Sequence, residues 1–233
     1  MQICVCGWYY FPKLMPILKR VHETTEHDVF IVAHRENAWL EEFDHYIREN
    51  KGVEYGAYDW FLKNQWDRES PVFLMHDDVN ILPIMRNYEI VSPLGVFNSI
   101  SEIEYDLAYV FKNVTDERVN YGVHGRGIFM SPRFIMHLLI YNKGLWWDKN
   151  NDGHIAGPTP EHCHHFNEAD YRFRTFWRDM QEKGIDMKVG MPVYIPAFDA
   201  AYRGREGEQE EGKGVCGKDD PFETMARLNR FYR

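Results

Sequence analysis

His76-Asp77-Asp78-Val79-Asn80 follows the apolar run Val72-Phe73-Leu74-Met75 directly. That run has the length and composition of a buried strand. Two adjacent carboxylates at a strand's carboxyl end are costly without a positive partner. In open α/β sheets that end is where ligands bind. A divalent cation carrying a diphosphate suits the pair, because Mg²⁺ and Mn²⁺ prefer carboxylate oxygens and share their shell with phosphates. Asp78 is the first candidate for the ligand, with Asp77 as second ligand or as a support that holds the ribose. The plain alternative is an Asx turn or helix cap, where Asp is common.

Other residues have types suited to the same chemistry. Arg126 stands between Gly125 and Gly127, so a ligand can approach the backbone closely and pair with the guanidinium. Arg203 and Arg205 lie at the root of a Gly-, Glu- and Lys-rich stretch over 203–220, which reads as a flexible loop or lid. Trp146 and Trp147 suit either a sugar face or the core. His154, His162, Cys163, His164 and His165 invite a zinc reading, but their spacing fits no standard zinc motif. A place for one of these histidines in a ligand pocket or in the shell of the divalent cation suits them better.

The elements that must position these groups read as a β-α-β-α-β run followed by a less regular half. Strands are expected over 3–6, 29–33 and 72–75. Helices are expected over 12–22, 39–48 and 55–65. Further on, a strand is expected over 91–97, a helix over 102–110, and a glycine-broken strand over 121–131. Helices over 132–141 and 168–183, a last strand over 186–195 and a final helix over 221–233 complete the chain. This order predicts an α/β fold with a mixed, mostly parallel sheet flanked by helices, built as one domain. Its first half, 1–80, reads as nucleotide-binding, with 81–200 as the second half. No Gly-x-Gly-x-x-Gly fingerprint is present, so a dinucleotide site is poorly supported.

Bulk properties narrow the function. The 233 residues, 44% hydrophobic, suffice for one domain with a proper core. The net charge of −9 argues against a general nucleic-acid binder, which needs a basic face. An acidic protein handling phosphates needs local compensation by metal or Arg. The four cysteines form no evident disulfide framework, since Cys4 and Cys6 alternate on one strand face. No apolar run approaches a membrane span and no signal peptide is visible, so a soluble cytoplasmic protein, or one peripheral to a membrane, is expected.

Three segments, in order, resemble the nucleotide-sugar glycosyltransferases of the GT-A type, the inverting, family-2-like members in particular. They are Asn50-Lys51-Gly52-Val53-Glu54-Tyr55-Gly56-Ala57-Tyr58, then Val72-Phe73-Leu74-Met75-His76-Asp77-Asp78-Val79, then Asn167-Glu168-Ala169-Asp170-Tyr171 running into a helix. The middle segment is similar to the family's Asp-x-Asp motif, and the last to its Glu-Asp acceptor-side motif. Two departures are plain: His-Asp-Asp stands for Asp-x-Asp, and Ala169 stands where Glu is typical.

The resemblance implies a GT-A-like sheet and Mn²⁺ or Mg²⁺ as cofactor. It implies a UDP- or GDP-type nucleotide diphosphate sugar as donor and a glycan, glycoprotein or glycolipid hydroxyl as acceptor. It makes Asp170 the candidate base, with Glu168 as alternative base or acceptor contact. It places Trp8, Tyr9 or Tyr10, after the first strand, against the donor base. His34 and Arg35, after the second strand, are candidates to reach the nucleotide. Two rivals remain: a metal-dependent phosphohydrolase using Asp77, Asp78 and nearby His, and a nucleotide- or sugar-binding domain without turnover.

Overall fold

The computed structural model describes residues 1–77, 79–81, 84–86, 89–109, 127–146, 169, 172–173, 175–190 and 198–200. The chain begins with strand β1 (Gln2–Gly7), helix α1 (Met15–Thr24) and strand β2 (Asp28–Ala33). A 3-10 turn (Ala38–Glu42) leads to β3 (Asp44–Ile47), then α2 (Val53–Asn64) and β4 (Val72–His76). Three short strands follow: β5 (Val79–Ile81), β6 (Ile84–Arg86) and β7 (Glu89–Val91). Next come α3 (Pro93–Ser101), β8 (Leu107–Tyr109), β9 (Ile128–Met130) and α4 (Pro132–Tyr141). Residues 169, 172–173 and 175–182 are helical and form α5. The described chain closes with β10 (Val189–Gly190) and β11 (Phe198–Ala200).

Seven strands make one sheet in the order β10-β8-β9-β4-β1-β2-β3. β1 pairs in parallel with β2 and β4, β2 with β3, and β8 with β10. Only β9 runs against its neighbours β4 and β8. The expected mixed, mostly parallel α/β sheet is therefore observed. β5 pairs with β11, and β6 with β7, as separate ribbons.

The two-residue strand period builds both faces of the core. Ile3 and Val5 of β1 join Met15, Leu18 and Val21 of α1 and Val96, Phe97 and Ile100 of α3. Cys4 and Cys6 point the other way, to Tyr58 and Phe61 of α2, Phe134 and Leu138 of α4, and Phe173 and Phe176 of α5. Both thiols are buried and free, and burial pushes their pKa up. Because α1 and α2 lie on opposite faces, the chain winds outward from β1 to β3 and then returns to β4 on β1's other side. The carboxyl ends of β1 and β4 thus flank the topological switch point.

Three expected elements are corrected. The stretch 39–48 is not a helix: after the 3-10 turn, capped by Asn37 Oδ1 accepting from Trp39 N at 3.1 Å, it becomes edge strand β3. Trp39, Leu40 and Phe43 have helical spacing, but the open edge of β2 satisfies the backbone of residues 44–47 better. The expected strand over 91–97 is mostly α3, whose Ser92 hydroxyl caps Gly95 N (3.2 Å) ahead of Pro93. The expected helix over 102–110 is coil followed by β8, because Leu107 and Ala108 are fully buried between β9 and β10.

The helices expected over 12–22, 55–65 and 132–141 and the strands over 3–6, 29–33 and 72–75 stand, most with shifted ends, while of the strands expected over 121–131 and 186–195 the described residues hold only β9 and β10. α1 starts three residues late, after a turn in which Leu14 N and Met15 N both donate to the Phe11 carbonyl. α4 is capped by Ser131 Oγ, which accepts from Phe134 N (3.1 Å) and donates to Asp106 Oδ1 (2.9 Å). Asp106 Oδ2 also accepts from Arg133 Nη1 (3.1 Å) and Lys188 N (3.0 Å), so one carboxylate ties β8, α4 and the approach to β10. Strand β11 had no counterpart in the sequence reading. The expected loop over 203–220 and helix over 221–233 lie outside the described residues.

Candidate functional site

The carboxyl ends of four parallel strands carry the candidate groups side by side: Gly7 to Tyr10 after β1, His34 and Arg35 after β2, Arg48 after β3, and His76 and Asp77 after β4. Asp77 organises this row. Its side chain is fully buried, and Oδ2 accepts from Trp8 N (2.7 Å) and Tyr10 N (2.6 Å). Its own N–H donates to the Cys6 carbonyl (3.2 Å), continuing the register of β1 and β4. Oδ1 lies 3.2 Å from His76 Nδ1. A carboxylate accepting backbone N–H bonds is held strongly, since such charge-assisted bonds are about twice as strong as neutral ones.

The loop after β1 is therefore fixed from two sides. Tyr10 takes a left-handed backbone (φ 50°) and its hydroxyl donates to the Arg35 carbonyl at 2.7 Å. Burial, and then the Asp77 charge, push the Tyr10 phenol well above its ordinary pKa, so it stays a neutral donor. Trp8 is left between two partners: the Arg35 guanidinium carbon is 5.6 Å from its ring centroid, and the His34 ring is 6.3 Å away. Tyr9 turns to the other side, 5.8 Å from the His76 ring.

His34 reaches the start of α2, where its Nε2 is 3.2 Å from the Val53 carbonyl. A carbonyl only accepts, so Nε2 carries the proton. Burial, and then the Arg48 cation, hold His34 down at about 4. A folded pKa below the unfolded value of about 6.5 means that the unfolded chain binds more protons in that window. The His34 contribution is thus complete above about pH 6.5 and is lost as pH falls towards 4. Its size is on the order of 3 kcal/mol. Urea titrations at pH 7.5 and pH 4.5 should show that loss in the wild type and a smaller one in His34→Gln; parallel slopes would refute it.

Arg48 is the group that sequence reading missed. It fell in the helix expected over 39–48; as the residue after β3, it joins the crevice row. Its guanidinium is partly buried and Nη1 has no hydrogen-bond partner among the described residues.

The far side of α2's first turn is covered by Trp146. Gly52 has φ 76°, and a Cβ there would collide with the Trp146 indole. The turn bearing Trp146 is pinned by Asp59, whose Oδ1 accepts from Leu145 N (2.8 Å) while Oδ2 pairs with Lys63 Nζ (2.7 Å). Burial raises the Asp59 carboxyl, and Lys63 pulls it back. Gly144, at φ 105°, leaves room for that carboxylate. Trp146 is thus packed on the backbone of the crevice wall.

Of the sequence candidates, the structure brings Trp8, Tyr9, His34, Arg35 and Asp77 to one end of the sheet. Asp78, Arg126, Glu168, Asp170, Arg203, Trp147 and the histidine cluster lie outside the described residues. Ala169, between Glu168 and Asp170, is helical and buried. A Glu at that position would be driven into the core. Among the described residues no three His, Cys, Asp or Glu side chains gather as a metal site. No helix among them is long and apolar enough to cross a membrane.

No protein-family model matches the chain, and no curated protein matches it in sequence. Among solved structures, the apo-form glycosyltransferase GlyE of Streptococcus pneumoniae TIGR4 aligns with a TM-score of 0.41 at 11% identity. The alignment covers 88% of this chain and 55% of GlyE, so the chain spans about half the length of that protein.

Proposed function

We propose that this chain is a metal-dependent glycosyltransferase moving a sugar from a nucleotide diphosphate sugar, of the UDP or GDP type, to a hydroxyl acceptor with inversion. The observation that carries the reading is the Asp77 carboxylate, buried at the switch point and bonded to the backbone of Trp8 and Tyr10. It holds the loop of Trp8 and Tyr10 beside His76, with the Arg35 guanidinium carbon 5.6 Å from the Trp8 ring centroid. With Oδ2 committed to the loop, Asp77 has only Oδ1 left for a ligand. That fits a supporting carboxylate, and Asp78 is then the metal ligand of the pair. When bound, Mn²⁺ or Mg²⁺ supplies positive charge for the leaving diphosphate.

Trp8 stacks on the base, with Arg35 across its ring. Arg48, whose Nη1 is unpartnered among the described residues, faces the diphosphate. Arg126 and Arg203 add charge to the same group. In the reaction the acceptor oxygen attacks the anomeric carbon, the bond from that carbon to the diphosphate oxygen breaks, and the acceptor proton passes to Asp170. Glu168 holds the acceptor hydroxyl or takes over as base.

Incubation with UDP- and GDP-sugars, Mn²⁺ and a panel of sugar acceptors tests the reading. A transferase releases nucleoside diphosphate at a rate that rises with acceptor concentration. Acceptor-independent release of inorganic phosphate would instead identify a phosphohydrolase, and binding without turnover a non-catalytic domain.

A further inference from the structure

A cavity of about 720 Å³ opens at the opposite end of the sheet, at the amino ends of β1, β2 and β3. Its origin is a short edge strand. β3 pairs with β2 only from Phe30 onward, so on that edge no strand lies beside Asp28 and Val29, which pair with Gln2 and Ile3 of β1 on the other. The Val29 N–H donates instead to His22 Nδ1 at 3.4 Å. Strand alternation then sets Asp28, Phe30, Asp44 and Tyr46 on one face, against Trp60 of α2.

The charges of this notch, two carboxylates with the imidazoles of His22 and His45, disfavour anions at neutral pH. Asp28 and Asp44 line it, and no Lys or Arg does. Neither carboxylate forms an ion pair among the described residues. Gln65 adds an amide. Tyr46 and Trp60 stack face to face, 3.9 Å apart with 1° between their planes, so their inner faces are closed. What remains is a flat outer surface on Tyr46, which is 43% exposed. Such a platform does not surround a cation as an aromatic cage does. The volume also exceeds the needs of one ammonium or guanidinium head and falls in the range of sites that bury whole small molecules.

We infer that this notch is a binding site for a neutral oligosaccharide of roughly two or three sugar rings. The apolar C–H face of one ring lies on Tyr46, and hydroxyls donate to Asp28 and Asp44 and to the Gln65 carbonyl. The Asp28 end of the notch lies the length of β2, about 16 Å for six residues, from the crevice, while Tyr46 stands two residues before Arg48. The binding site does not depend on the proposed transferase activity.

Saturation-transfer NMR and tryptophan fluorescence titration with maltotriose, cellotriose and chitotriose test this, using wild type, Tyr46→Ala, Asp44→Asn and Trp8→Ala. Tyr46 and Asp44 are exposed, so both notch variants should fold. At least one trisaccharide should bind, about tenfold more weakly to Tyr46→Ala and Asp44→Asn and unchanged to Trp8→Ala. The inference is overturned if no trisaccharide binds, if binding ignores both notch variants, or if spermidine binds there and the sugars do not. Loss of binding in Trp8→Ala alone would also overturn it, by moving the sugar to the crevice.

Discussion

Asp77→Ala is expected to lower the unfolding free energy by about 2–5 kcal/mol and the melting temperature by about 5–15 °C. The substitution strands the N–H groups of Trp8 and Tyr10, which now donate to Oδ2 at 2.7 and 2.6 Å. Each buried donor left without a partner costs about 1–3 kcal/mol. That is a large part of the roughly 5–15 kcal/mol that holds a domain folded. Asp77→Asn keeps an acceptor oxygen of the same shape, so it should recover most of the loss. Urea unfolding of the two variants beside wild type reads this directly. Equal, small losses would mean that the two N–H groups find water instead. Nucleotide affinity should fall in Asp77→Ala at temperatures where it remains folded, because Trp8 and Tyr10 would no longer be held at the crevice.

The second large effect concerns turnover. Asp170→Asn should reduce transfer by about 10²–10⁴-fold, the usual contribution of a positioned general base. Donor nucleotide affinity should be unchanged, since the amide is isosteric and the proposed role begins with the acceptor proton. Glu168→Gln is the internal comparison. If it abolishes transfer while Asp170→Asn retains wild-type rates, the base is Glu168. If neither matters, the Asn167-to-Tyr171 segment has no catalytic part and the inverting mechanism proposed here fails.

Much of the central fold was legible from residue pattern. Strands β1, β2 and β4 are short apolar runs, and α2 and α4 fall where apolar periodicity puts them. The failures have physical causes. Residues 44–47 are exposed throughout, so no hydrophobic signal marks them as a strand; only the vacant edge of β2 does, and that is a tertiary fact. Ser92 before Pro93 was a readable helix start that the apolar run 94–97 masked. Leu107 and Ala108 are strand because neighbours pair with them on both sides. The first error hid Arg48, since a helix surface and a strand's carboxyl end give the same residue opposite meanings.

At the carboxyl end of β4, the sequence did not show that the Asp77 carboxylate turns inward. That orientation depends on Trp8 and Tyr10 presenting their N–H groups to one point, with Tyr10 at positive φ. Backbone conformation of this kind leaves no mark in composition. The Tyr46–Trp60 platform was invisible for the same reason as β3. The buried Ala169, by contrast, gives a reason for a departure that the sequence showed plainly.

The central claim is a metal-dependent nucleotide site at the switch point of the sheet. Its most direct test is thermal-shift binding of UDP, GDP, CMP and their sugars, with and without Mn²⁺, to wild type and Asp78→Ala. A ligand that binds only the folded state raises the melting temperature, by about 2.7 kcal/mol of stability at a hundredfold excess over Kd. The account predicts stabilisation by a UDP- or GDP-type ligand that requires Mn²⁺ and disappears in Asp78→Ala. No shift with any nucleotide in a folded sample, or a shift that ignores both Mn²⁺ and Asp78, would contradict it.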